Sequence, residues 1–185
     1  MKGTMWKGAA VAGLLVAAAA GSAEAQVPIQ FGIGGGVTIP GGSTSDFLKT
    51  GWNAQALVRF RPAASPVGFQ IDGMYQELKF DPSGGKDQII SGTGNLVYSF
   101  PVSAETQFRP YIIAGGGIYN INPKPDVGPD ISSQTKFGIN AGAGFDINVS
   151  RVTVYAEGRF HNVFISNGDD AKLIPITVGL KFGGR

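Results

Sequence analysis

A two-residue alternation of apolar and polar side chains, repeated in stretch after stretch, limits this chain more than any other feature. Within Trp52–Phe60, residues Trp52, Ala54, Ala56, Val58 and Phe60 fall in one set, and Asn53, Gln55, Leu57 and Arg59 in the other. On a β-strand those two sets point to opposite faces. Eight alternating segments can be traced: Ile29–Ile39, Gly51–Phe60, Val67–Phe80, Gln88–Phe100, Phe108–Ile121, Thr135–Val149, Val152–Phe164 and Leu173–Phe182. No helical period of comparable strength competes with them, so the pattern predicts an all-β chain.

Residues 1–25 read as an export address. Lys2 and Lys7 precede a small-apolar run from Gly8 to Ala20, and Ala23-Glu24-Ala25 has the small-residue form of a cleavage site. The expected organisation is a cleavable signal peptide over residues 1–25, a mature start at Gln26, and one β-barrel domain over residues 26–185. No appended cell-wall-binding domain is expected after the eighth strand. The chain has no Cys, which excludes disulfide frameworks, thiolate metal sites, cysteine nucleophiles and a lipid-modified cysteine at the cleavage site. No later stretch approaches the roughly 18 unbroken apolar residues of a transmembrane helix. Entry into a membrane would therefore require a closed barrel, the other structure that satisfies every backbone group in lipid.

Gly contributes 29 of 185 residues, about twice the usual share, which suits tight curvature and close side-chain layers in a small barrel. The net charge of +2 gives no footprint for nucleic acid. Turn residues fall where the alternation stops. The connections Pro40–Thr50, Asp81–Asp87, Asn122–Gln134 and Ile165–Lys172 read as the longer ones, and Arg61–Pro66, Pro101–Gln107 and Ser150–Arg151 as the shorter. That rhythm predicts an eight-stranded antiparallel up-and-down transmembrane β-barrel with outer loops, short periplasmic turns and both termini on the periplasmic side.

Aromatic placement decides which face meets lipid. Phe31, Phe60, Phe69, Phe100, Tyr111, Phe145 and Phe182 are expected near the short turns, and Trp52, Tyr75, Tyr119, Phe137 and Phe160 near the longer loops. Two aromatic girdles around an aliphatic band are the lipid-facing pattern of a membrane barrel. The other face offers charges of both signs: Arg59, Lys136, Arg159 and Lys181 against Asp72, Asp146 and Glu157, with His161 beside them. In an eight-stranded lumen these are expected to form a filled polar network, because a narrow interior cannot hold unpaired charge.

Arg109-Pro110-Tyr111 leading into Ala114-Gly115-Gly116-Gly117, and the closing segment Pro175–Phe182, resemble the small outer-membrane β-barrel superfamily of OmpX and the OmpA transmembrane domain. The resemblance covers residues 26–185. It implies residence in the bacterial outer membrane, contact with its lipid and lipopolysaccharide, and recognition of the C-terminal strand by the barrel-insertion machinery. In that signal the aromatic residue usually ends the chain, whereas here Gly183-Gly184-Arg185 follow Phe182.

Few residues carry catalytic chemistry. Glu157, Arg159 and His161 share one strand face, which suits acid–base work but equally a packed charge network. His161 is the sole histidine, with Ser166-Asn167-Gly168 after it. Outer-membrane lipid A deacylases place a Ser two residues after the His on the lipid face, whereas here Val163 stands there and His161 lies on the polar face. Asp169-Asp170 and the dispersed Asp46, Asp81, Asp87, Asp126 and Asp130 read as solvated loop charge rather than a cation site. Gly34-Gly35-Gly36 and Gly115-Gly116-Gly117 lack the spacing and following helix of a dinucleotide fingerprint. No cofactor and no catalytic or metal residue is expected. The reading is a monomeric, non-enzymatic barrel serving envelope integrity, adhesion or interaction through its loops. The alternatives are a soluble periplasmic lipocalin-like barrel with an apolar ligand, and an outer-membrane lipid-modifying enzyme.

Overall fold

The computed structural model describes residues 29–62, 65–81, 84–103, 106–126, 132–165 and 169–184. The expected signal peptide and Ser166-Asn167-Gly168 lie outside them. The eight strands are β1 (Ile29–Gly41), β2 (Leu48–Phe60), β3 (Val67–Phe80), β4 (Gly85–Ser99), β5 (Phe108–Pro125), β6 (Gln134–Val149), β7 (Val152–Val163) and β8 (Ala171–Gly183). Each pairs antiparallel with its sequence neighbours, and β8 pairs with β1 through Phe31 opposite Phe182 and Gly36 opposite Thr177. The sheet is a closed up-and-down barrel with no free edge. One end carries Ile29, Gly183 and the two-residue turn Ser150–Arg151, and is called here the termini end. The far end carries residues 42–47 and the strand ends Phe80, Gly85, Pro125, Gln134, Val163 and Ala171.

The strands run further toward the far end than alternation predicts. β2 starts at Leu48 rather than Gly51, β4 at Gly85 rather than Gln88, and β5 continues to Pro125 rather than stopping at Ile121. The expected contrast between long and short connections shrinks accordingly. Two local devices account for the difference. Between Lys49 and Trp52 the β2–β3 register shifts by a β-bulge. The bulge reverses the alternation, so Leu48 turns into the barrel on the same sequence parity as the outward Trp52. Pro123 and Pro125 look like loop residues but pair with Asp87 and Gly85 of β4. The β5–β6 ladder ends at Ile121 opposite Gln134, so beyond it one side of β5 is unpaired and the missing proline N–H groups leave no gap in a ladder.

The outer surface is apolar for most of its height. Ile33, Ile71, Ile90, Leu96, Ile112, Ile118, Ile139 and Val178 are exposed around the girth. Aromatic rings flank this band. Trp52 lies 5.1 Å from Tyr75, and Phe137 stacks on Phe164 toward the far end. Tyr98 meets Phe100 and Phe108 meets Phe145 toward the termini end. An exposed apolar belt of this extent is incompatible with water as the surrounding solvent and has the form of a lipid-facing surface. Among the described residues no helix is long and apolar enough to cross a membrane; the strands provide the span. Ile118, 61% exposed near the middle of β5, tests this. Ile118→Arg is expected to destabilise the barrel in lipid vesicles by about 2–4 kcal/mol in denaturant unfolding. An unchanged midpoint would place that face in water.

Candidate functional site

The barrel interior is the only place where ionisable side chains of the described residues converge away from water. Arg59, Asp72, Asp146, Glu157, Arg159 and Lys181 all turn inward and are buried. Arg159 on β7 reaches across the lumen to Asp72 on β3 with two hydrogen bonds, Nη1 to Oδ2 at 3.1 Å and Nη2 to Oδ1 at 3.0 Å. Its Nε lies 3.0 Å from Glu157 Oε1, an ion-pair contact at an angle too oblique for a hydrogen bond. Arg59 on β2 donates to Asp146 Oδ2 at 3.2 Å, donates twice to Gln70 Oε1, and sits 3.7 Å from Glu157. Lys181 on β8 donates to Asp146 Oδ1 at 2.5 Å. Three cations thus face three carboxylates and the cluster is neutral. Neutral donors complete the shell of Asp72: Gln70, Thr93 and Asn95 all donate to it. A buried bidentate guanidinium–carboxylate pair with its remaining oxygens satisfied is the arrangement in which attraction offsets desolvation.

Lys136 is also on the inward side of β6 but half-buried, opposite Tyr119 and nearer the far end than the six-charge cluster. His161 is fully buried, with Nδ1 2.8 Å from the Tyr119 hydroxyl and the two rings edge to face. Above the charged cluster Asn53 bonds Thr38 and accepts from Thr177, while Thr38 donates to Gln76. At the far end the lumen becomes apolar, where Leu48, Leu78, Ile89, Tyr119, Val163 and Leu173 form one buried cluster. The interior thus carries its cluster of ion pairs toward the termini end, neutral polar side chains with Lys136 above it, and mostly apolar side chains at the far end. Among the described residues no three His, Cys, Asp or Glu side chains gather as a metal site.

Two expected girdle residues are placed differently. Tyr111 and Tyr119, expected against lipid, are 1% and 0% exposed and point into the lumen. Phe31, Trp52, Phe60, Phe69, Tyr75, Phe100, Phe137, Phe145, Phe160 and Phe182 lie on the outer face. Both alternating sets of β5 are apolar, so its phase was open. The outward set is Phe108, Ile112, Ala114 and Ile118, and the inward set carries Tyr111, Ile113 and Tyr119. A tyrosine suits the interior because its ring fills volume while its hydroxyl finds a partner: Tyr111 donates to Glu157 Oε2 at 2.9 Å, and Arg59 stacks 4.4 Å above its ring.

Inward glycines make room for these rings. A Cβ on Gly144 would sit 2.5 Å from the Tyr111 hydroxyl, one on Gly138 2.8 Å from the Tyr119 ring, and one on Gly179 2.6 Å from the Tyr155 ring. Three lumen tyrosines thus each lie over a glycine of the neighbouring strand. Asp87, read from sequence as loop charge, is a further departure. It is in β4, turned inward and buried among the far-end apolar residues. Its alternation with Ile89 and Ser91 would have placed it, had β4 been extended past Gln88.

Arg159→Met would leave Asp72 and Glu157 buried with one cation too few. It is expected to lower unfolding stability in lipid by about 3–5 kcal/mol, with most of the loss restored by adding Asp72→Leu. Gly144→Ala, which drives Cβ into Tyr111 and the Ala156 carbonyl, is expected to cost about 1–3 kcal/mol. Denaturant unfolding followed by tryptophan fluorescence measures both.

Solved structures with a similar fold include the following three. Neisserial surface protein A superposes with a TM-score of 0.65 at 15% identity, covering 86% of this chain and 99% of that one. The N-terminal β-barrel domain of Pseudomonas aeruginosa OprF gives 0.51 at 15% identity, with the same coverage. A major outer membrane protein of Thermus thermophilus gives 0.53 at 9% identity, covering 84% of this chain and 99% of that one. At these identities the likeness concerns the fold. No curated protein matches the sequence. The family described as outer membrane protein beta-barrel domain matches residues 9–182. That match spans nearly the whole chain, which accordingly belongs to the outer membrane protein beta-barrel domain family, proteins of the bacterial outer membrane.

Proposed function

We propose that this protein is a non-enzymatic, monomeric surface barrel with a closed lumen, acting in envelope integrity and in contacts made at its far end rather than as a diffusion pore. The observation that carries this is the filled interior. Arg159 bridges the lumen to Asp72, Arg59 and Lys181 converge on Asp146, and Leu48, Ile89 and Leu173 close the far end. An eight-stranded barrel has space for its own side chains and little else.

The far end faces outward in this reading and the termini end faces the periplasm, since an even number of strands returns both ends of the domain to one side. Residues 1–25 are removed on export. The closing strand β8, ending in Phe182, serves as the signal for the insertion machinery, and the aromatic rings contact outer-membrane lipid and lipopolysaccharide. A lipocalin-like carrier is disfavoured because the apolar face is outside and the middle of the lumen is charged. A lipid-modifying enzyme is disfavoured because His161 is enclosed in the lumen against Tyr119. Catalysis on a membrane substrate needs a base within reach of the bond it attacks.

Planar-bilayer recording of the purified full-length product tests the closed lumen. Silence or brief flickering is the expected result. A large, steady, ohmic conductance would overturn the reading.

A further inference from the structure

At the far end the barrel opens into a cup of about 340 Å³, a size typical of small-ligand clefts. Its floor is the buried Leu48, Ile89 and Leu173, and Phe47, 66% exposed, stands at its lip. Into this apolar cup projects the carboxyl of Asp87, which is 7% exposed. Its Oδ1 is buried and meets no hydrogen-bond donor among the described residues.

The contrast with the rest of the lumen is informative. Asp72, Asp146 and Glu157 each lie within 4 Å of an arginine or lysine nitrogen. Asp87 faces Leu78 and Pro123 across its two ladders, neither of which can donate a side-chain hydrogen bond. The adjoining Lys86 points to the other face of β4, where it is engaged with Glu77 at 2.9 Å. A second carboxylate, Asp169, lines the cup and adds negative charge to it. A carboxylate withdrawn from water without a partner is costly, and either a proton or a cation brought in from outside removes that cost.

We propose that this cup is a binding site for small amphiphilic cations. The apolar body of the ligand packs on Leu48, Ile89, Leu173 and Phe47, and its ammonium group donates to the Asp87 carboxylate. The shape sets the class of ligand: a bare inorganic cation would leave the apolar walls unused, and a neutral hydrocarbon would leave the carboxylate unpaired. The site goes beyond the closed-barrel reading and does not depend on it, because the cup lies above the charged cluster.

The test uses the full barrel in zwitterionic lipid nanodiscs, with methyl-labelled Leu and Ile followed by NMR. The probes are octylammonium and octanol, which share an apolar body and differ in charge. Octylammonium is expected to shift the Leu48, Ile89 and Leu173 methyls and to bind about tenfold or more tightly than octanol, the increment of a hydrogen bond to a charged group. Asp87→Asn is expected to reduce octylammonium to the affinity of octanol. Phe47→Ala, at an exposed lip position where folding is not at stake, is expected to weaken both probes. Equal affinity of the two probes for the unmodified barrel would overturn the proposal, with the cup merely apolar and Asp87 an uncharged acid. Shifts of equal size at the outward Ile112 would also overturn it, as partition into lipid.

Discussion

Everything in this barrel depends on the demand that a narrow, water-poor lumen be electrically neutral and hydrogen-bonded. Closing eight strands removes the sheet edges, but it also traps one face of every strand in a space with little room for solvent. Arg59, Arg159 and Lys181 answer Asp72, Asp146 and Glu157 one for one, and they come from five different strands. Apart from Arg159 with Glu157, which share β7, these pairs tie together different strands. Arg159 to Asp72 links β7 to β3 across the barrel, and Arg59 to Asp146 links β2 to β6. Backbone ladders fix the neighbours; these ion pairs fix opposite walls against each other.

The second requirement is volume. Large tyrosine rings and long charged side chains share the lumen with residues that have no side chain at all. Gly138, Gly144 and Gly179 are the counterparts of Tyr119, Tyr111 and Tyr155. This pairing explains why glycine is so abundant in strands, where it is otherwise unfavourable. The composition of the chain is thus a record of interior packing as much as of turns.

The third element is the change of character along the barrel axis. The charged cluster toward the termini end gives way to Asn53, Thr38 and Gln76, and then to an apolar cluster at the far end. The bulge in β2 is what delivers Leu48 to that cluster. An apolar end above the charged cluster leaves a cup whose buried inward carboxylate, Asp87, is set apart from the network below.

The number of strands, their order and the inward direction of Arg59, Asp72, Asp146, Glu157, Arg159, His161 and Lys181 were legible in the amino-acid sequence. The reason is that a strand's period of two is local and needs no knowledge of its partner. The phase of β5 was not legible, because both of its alternating sets are apolar and the choice rests on whether Tyr111 finds Glu157 and a glycine opposite it, forty or so residues away. The ends of β2, β4 and β5 were hidden for a related reason. A bulge, and prolines that border an unpaired stretch of ladder, take their meaning from the adjoining strand. Which carboxylate meets which cation was settled by the closure of the barrel, since pairing across a lumen is a relation between walls that no run of neighbouring residues encodes.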